Sequence, residues 1–346
     1  MKKLLLSAAF ISATVLGANA QTFFTDDFDS YTVGNVGTDL TGATPGQGNW
    51  YTVVPAGGAN SNFQFVAETG RGNVFSMEST NQAPAPTGSP GNYRLASKIG
   101  FDNAMWSSRS AGNNILRVDY EFFTGPATSS KAVHRMAVSS ENRAIGGFQY
   151  EPETRTLKGL AYANPQGGSG AGLYTITLVQ GGLILDANTW YSVTFFVDTT
   201  TNKAVWHVPA KAIDGSFDLV SLVGEAPAEI SFIAIAGAGN AASSTVKYDN
   251  YIVSAVNTTA ASVNDVISSK FNLYPNPVND VVTISNEEHI AVNNVSVIDM
   301  NGRVVKTFEF NNQSQVQMNI SDLKAGIYIF KISTNEGTAS KKVVKK

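Results

Sequence analysis

The chain has 346 residues, of which 15% are charged, with a formal net charge of −3 and no cysteine. That balance gives no electrostatic footprint for nucleic acid. The lack of thiols excludes disulfide staples and thiolate chemistry. The 31 glycines and 10% aromatic residues fit a loop-rich β protein of extracellular type.

Residues 1–20 read as a Sec signal peptide. Lys2 and Lys3 precede the apolar run Leu4 to Leu16, and Ala18-Asn19-Ala20 is a small-residue cleavage site. The run is too short for a membrane span, so the mature chain is expected to start at Gln21 without a transmembrane segment. Residues 21–255 are enough for one sizeable sandwich or barrel.

Within them, Leu116, Val118, Tyr120 and Phe122 alternate with Arg117, Asp119, Glu121 and Phe123. Tyr191, Val193, Phe195 and Val197 alternate with Trp190, Ser192, Thr194 and Phe196. This period of two predicts strands with one buried face. Lys203 to Val208 reads as a return strand after the polar turn Asp198 to Asn202, and Glu229 to Ala236 and Val246 to Val253 as the last strands. Gln82 to Asn92, Gln166 to Gly172 and Gly237 to Ser244 are loops by their Gly, Pro and Ser content. No run shows a helical period. Many short strands between turn signals predict an all-β sandwich or jelly roll.

The stretch Asn188 to Asp198, followed by Thr200 to Trp206, resembles the central hairpin of concanavalin A-like and laminin-G-like domains. The opening Asp26-Asp27-Phe28-Asp29-Ser30-Tyr31 and the closing Tyr248-Asp249-Asn250-Tyr251-Ile252-Val253 resemble their first and last strands. The resemblance implies a jelly roll with one concave sheet that carries ligands. It also implies a structural calcium ion where the first and last strands meet. Asp27 and Asp249 would be its ligands, with Asp26, Asp29 and Asn250 as further candidates; calcium takes six to eight oxygens.

Exposed aromatic rings can stack on the apolar faces of sugars. Trp50 and Trp106 lie in loop-like sequence, and Trp190 and His207 alternate against core stripes, so these four are the candidate ligand contacts. Catalytic signals are sparse. Asp119 and Glu121 share a strand face and could form a carboxylate pair, while Glu151 and Glu153 flank Pro152, which suggests a turn. The Glu-x-Asp-x-x-Glu pattern of jelly-roll glycoside hydrolases is absent. His134, His207 and His289 are isolated, no H-E-x-x-H or G-x-S-x-G occurs, and no phosphate-cradling glycine loop leads into a helix. The expected function is noncatalytic recognition of a glycan or another extracellular ligand. The alternatives are a glycoside hydrolase or polysaccharide lyase using Asp119, Glu121 or Glu151, and a structural adhesin or matrix component.

Residues 256–270 are small and polar and read as a linker. In residues 271–346, Val281, Thr283 and Ser285 alternate with Val282 and Ile284; Asn301-Gly302 supplies a two-residue hairpin turn; Gly326 to Thr334 and Thr338 to Val344 pair through Asn335-Glu336-Gly337. The turn Tyr274-Pro275-Asn276-Pro277, the segment Asp299 to Arg303 and the step Leu323 to Tyr328 occur in the order found in the type A C-terminal sorting domain of the type IX secretion system, which this region resembles. That resemblance implies an immunoglobulin-like sandwich, the type IX machinery as partner, and a product that passes the periplasm to be secreted or held at the outer cell surface. Lys341, Lys342, Lys345 and Lys346 read as lysines that protect an edge strand.

Overall fold

The computed structural model describes residues 20–55, 57–84, 92–98, 101–165, 170–259, 271–286, 290–299, 303–334 and 338–346. The expected signal peptide, apart from Ala20, lies outside these residues. So do most of the linker and the turns at Asn301-Gly302 and Asn335 to Gly337. No helix among the described residues is long and apolar enough to cross a membrane.

The main domain is a two-sheet sandwich. Its strands in chain order are β1 (Gln21–Asp26), β2 (Gly34–Asn35), β3 (Trp50–Val53), β4 (Phe63–Glu68), β5 (Gly72–Glu78), β6 (Tyr93–Lys98), β7 (Ile115–Phe123), β8 (Val133–Ser139) and β9 (Ala144–Glu151). They continue as β10 (Thr156–Ala163), β11 (Gly172–Ile176), β12 (Leu183–Ile184), β13 (Trp190–Asp198), β14 (Lys203–Val208), β15 (Ile213–Asp218), β16 (Glu229–Ile235) and β17 (Thr245–Val256). One sheet has nine strands in the order β15-β14-β13-β7-β17-β5-β4-β2, with β1 added along β17. The other has eight, ordered β11-β10-β9-β8-β16-β6-β3, with β12 added to β10. All these pairings are antiparallel, and neighbours far apart in sequence give the crossovers of a jelly roll.

The period of two in β7 and β13 places their alternate residues as read from the sequence. Val118, Tyr120, Phe122, Tyr191, Val193 and Phe195 point inward and are buried. They meet Met136, Phe148, Tyr150 and Phe232 of the eight-stranded sheet in one continuous core. Each such side chain contributes about 1.5–3 kcal/mol by leaving water. Trp206 crosses the sandwich, and its indole Nε1 donates to the Gly147 carbonyl at 2.6 Å. Gly159 makes room for that ring, since a Cβ there would lie 2.7 Å from it.

One short α-helix stands among the strands of this all-β domain. α1 (Asn103–Ser107) is held at its start by Asp102, whose side chain accepts from the Met105 N–H. Five residues are too few for a helical period to show in the sequence.

The C-terminal domain has its own core, built on Phe271, Val282, Ile284, Val295, Phe330 and Ile332. Its strands are β18 (Phe271–Tyr274), β19 (Val281–Asn286), β20 (Val292–Asp299), β21 (Val304–Gln313), β22 (Gln315–Asn319), β23 (Gly326–Thr334) and β24 (Thr338–Lys345). They form sheets ordered β18-β19-β22 and β21-β20-β23-β24. The expected pairing of Gly326 to Thr334 with the last strand is present, and β24 is an edge strand.

Candidate functional site

The sequence-derived ligand contacts separate into inside and outside. Trp50 is 1% exposed and Trp106 is 3% exposed. Trp50 packs on Phe75 and Phe232 and donates its indole N–H to Asp26 at 2.8 Å. Trp106 lies on α1, under Arg109, and edge-on to Phe23. Neither ring offers a face to a sugar, which corrects the expectation for both. His207 points outward as its register requires, but it is buried against Phe196, and its Nε2 lies 2.9 Å from the Thr259 carbonyl. It too is a packing residue. Trp190 is partly exposed on the outward face of the nine-stranded sheet, with the Arg71 guanidinium 4.0 Å from its ring centre.

On that same face, Asp119 and Glu121 lie side by side but are already engaged. Asp119 accepts from Arg117 Nε at 2.7 Å and from Thr194 Oγ1 at 2.7 Å. Glu121 pairs with Arg71 and accepts from Asn250 Nδ2 at 2.9 Å and Ser192 Oγ at 3.0 Å. Asp249 joins them through a β-bulge in β17, where the pairing register shifts after Asp249 and Asn250 takes a positive φ of 50°. The bulge re-aims the strand, as bulges beside sites commonly do. Arg71 reaches Asp249 at 3.2 Å.

Burial pushes the Glu121 carboxyl up, but Arg71 and the hydrogen bonds from Asn250 and Ser192 outweigh it and hold the group below the usual range. Burial pushes Asp249 up to about 7, with the Glu121 charge adding to the rise and Lys342 and Arg71 opposing it. Neighbouring carboxyls driven apart in this way are a pattern that acid and base pairs share. They line a polar cleft of about 220 Å³ with Arg71 and Asn250, and its other wall is Asn276, Lys341 and Lys342 of the C-terminal domain.

The carboxylates that the jelly-roll resemblance assigned to calcium are divided between two uses. Asp26 is a buried hub that accepts from Trp50, from the Tyr31 hydroxyl at 2.8 Å and from Lys98 Nζ at 2.5 Å, while its other oxygen accepts from the Phe28 N–H. Asp29 and Asp27 face Lys342, the first in direct pairing and the second at 3.4 Å. Among the described residues, no group of three or more His, Cys, Asp or Glu side chains is placed to hold a metal. Lys342 meets Asp29 and Asp27, while Asp249 meets Arg71. Ammonium and guanidinium groups satisfy these carboxylates, so the donor set does not fit calcium in the full chain.

The outward face of the eight-stranded sheet has a different character. Register places Arg135, Gln149 and Lys158 in one row across β8, β9 and β10. Arg135 Nε donates to Gln149 Oε1 at 2.8 Å, Gln149 Nε2 donates to Glu151 at 2.9 Å, and Lys158 pairs with Glu151 at 2.8 Å. Leu95 and Ile233 extend the row on β6 and β16. These side chains point away from the core, yet Gln149 is 5% exposed and Leu160, beside them, 1%. Neighbouring side chains of the face cover them. At its end Glu151, Glu153, Lys131 and Thr154 line a second cleft of about 220 Å³. Pro152 sits in a turn there, as the sequence suggested. The sequence reading missed this row because its members come from three separate strands, and only register aligns them.

Residues 272–346 match the family described as the secretion system C-terminal sorting domain. This region is thus a type IX sorting domain and marks the chain for export to the cell surface or medium. No curated protein matches. Three solved structures illustrate what the chain is similar to. The binding domain of botulinum neurotoxin DC, in complex with rat synaptotagmin II, is 11% identical with a TM-score of 0.41, over 85% of this chain and 69% of that one. A sialidase is 14% identical with a TM-score of 0.39, over 71% of this chain and 19% of that one. A family 7 alginate lyase, A1-II′, in complex with substrate, is 12% identical with a TM-score of 0.36, over 59% and 86%. Likeness at these scores carries no argument about ligand or chemistry, and the jelly roll rests on the strand order described above.

Proposed function

We propose that this is an exported, noncatalytic binding protein that recognises an extracellular glycan on the outward face of the eight-stranded sheet. Export proceeds through the periplasm, by the type IX route that the sorting domain marks. The observation that carries the reading is the row Arg135, Gln149, Glu151 and Lys158. It alternates donors and acceptors, which suits the vicinal hydroxyls of a sugar. Leu95 and Ile233 supply apolar contact for its C–H faces. The row contains a single carboxylate, and that one is held by Lys158, so it lacks the opposed pair that glycoside hydrolysis needs.

A glycan array with the full chain tests this. Binding that is lost in Arg135→Ala and Gln149→Ala supports the reading. Binding that survives both substitutions, or a silent array, overturns it, and silence leaves a structural adhesin as the better account. One observation favours a second reading. Glu121 and Asp249 lie in one cleft with their proton affinities driven apart, the arrangement a lyase or hydrolase would need. Turnover of a polysaccharide that vanishes in Glu121→Gln and persists in Gln149→Ala would establish it.

A further inference from the structure

We propose that the carboxylates at the meeting of β1 and β17 are the receptor for Lys342 of the chain's own sorting domain, and that this docking closes the Arg71–Glu121–Asp249 cleft until the sorting domain moves away. The inference is independent of the glycan reading, which concerns the other sheet.

Four observations converge. Lys342 pairs with Asp29 and lies 3.4 Å from Asp27, with its side chain 16% exposed. It is an ammonium ion placed where the fold brings carboxylates together. Its strand is also fixed from the sorting-domain side. Asn276 Nδ2 donates to the Lys342 carbonyl at 3.1 Å, and Asn276 Oδ1 accepts from the Val344 N–H at 2.8 Å. The same Asn276 turns its backbone carbonyl onto Gly70, at the tip of the β4–β5 hairpin, where any Cβ would lie 3.2 Å from that oxygen. Finally, Lys341 and Lys342 wall the cleft that Glu121 and Asp249 line.

Charge explains why a lysine belongs there. Arg71 pairs with Glu121 and Asp249, Lys342 meets Asp29 and Asp27, and the Asp249 charge also acts on Lys342. Without Lys342, several partly buried carboxylates would face one guanidinium and repel each other. With it, the carboxylates are paired, and a contact is made only when the two domains are seated. The docking is thus electrostatic at its centre and should weaken with salt. A lysine on an edge strand protects against pairing with other chains; here Lys342 has a specific partner as well.

The test uses the full chain. Small-angle scattering of the wild type should show one compact body at low salt. Lys342→Glu should increase the radius of gyration and maximum dimension, and 0.5 M sodium chloride should shift the wild type in the same direction. The charge swap Asp29→Lys with Lys342→Glu should restore the compact form, which also shows that Lys342→Glu folds. Lys331→Glu, at an exposed position of β23, should change nothing. Hydrogen exchange reads the closure. Protection at Arg71, Asn73 and Asn250 should be lost in Lys342→Glu and kept in Lys331→Glu. Unchanged scattering in Lys342→Glu would refute the docking, and unchanged exchange in an expanded Lys342→Glu would refute the closure.

Discussion

The two outward faces of the sandwich use similar residues to opposite ends. On and beside the nine-stranded sheet the acids meet cations, one of them from the sorting domain: Asp119 has Arg117, Glu121 and Asp249 have Arg71, and Asp29 has Lys342. On the eight-stranded sheet, Arg135, Gln149, Glu151 and Lys158 form a short relay among themselves, with apolar neighbours. The first face is committed to holding the molecule together, and the second is the one proposed for a ligand. Charged residues on a strand face therefore do not mark a site until their partners are known. Substitutions on the committed side should cost stability, and those on the proposed ligand side should cost binding.

The largest break is expected at Asp26, a buried carboxylate behind the committed face that serves three donors through one oxygen. Asp26→Ala leaves the Lys98 ammonium, the Tyr31 hydroxyl and the Trp50 N–H without their shared acceptor. Removing one partner of a buried pair costs about 3–5 kcal/mol. Urea unfolding of the variant should show a loss of that size. A loss under about 1 kcal/mol, the range of an exposed ion pair, would show that the network is not what holds the first strand.

What the sequence disclosed, and what it hid, follows the same division. β7 and β13 were legible because their inward apolar residues, Leu116 to Phe122 and Tyr191 to Val197, recur at every second position. The sorting domain was legible because several turns recur in register along a short segment. Trp50 was misread because β3 is only four residues long and lies among glycines. Its burial depends on Asp26, Phe75 and Phe232, which only the fold assembles. In β9 nearly every residue is buried, so Gln149 gives no alternation to notice. The pairing of Lys342 with Asp29 joins opposite ends of the chain, and the tail lysines alone suggested only edge protection.

A smaller effect, visible through pH, should separate Asp249 from the rest of the committed face. Its folded pKa of about 7 lies above the ordinary 3.8. Between those values the folded state binds more protons than the unfolded one. Asp249 therefore contributes stability that is full below about pH 4 and is lost as pH rises through about 7. His134 acts in the opposite sense, because burial lowers it to about 3 from 6.5 and acid favours the unfolded state that can take its proton. Stability measured from pH 4 to 8 in the wild type and in Asp249→Asn isolates the carboxyl. The difference should favour the wild type most at the acid end and shrink towards pH 7. A constant difference would mean that Asp249 is ionised throughout, paired with Arg71 and Lys342.

On the proposed ligand face the expected cost moves from folding to binding. Gln149→Ala removes one acceptor and one donor between Arg135 and Glu151. A hydrogen bond is worth roughly 0.5–1.5 kcal/mol net, so affinity for the best array ligand should fall about tenfold. Isothermal titration measures that fall. Unfolding of the unliganded variant should stay within about 1 kcal/mol of the wild type. A large stability loss with unchanged affinity would move Gln149 to the committed side and remove the contrast between the faces.

The smallest effect expected is none at all, and it concerns calcium. The jelly-roll resemblance calls for an ion on Asp27 and Asp249, with Asp26, Asp29 and Asn250 as further candidates, whereas in the full chain Asp27 and Asp29 meet Lys342 and Asp249 meets Arg71. A divalent ion would have to displace an ammonium that the sorting domain holds in place through Asn276. A ligand stabilises only in proportion to its binding to the folded state over the unfolded one. The melting midpoint of the wild-type chain should therefore be the same in excess calcium and in chelator. In Lys342→Ala the ammonium is gone and the carboxylates remain, so calcium should raise the midpoint there if it raises it anywhere. A calcium-dependent rise in the wild type would show that the ion and Lys342 are not competitors, and that the committed face still has room for a cation the chain does not supply.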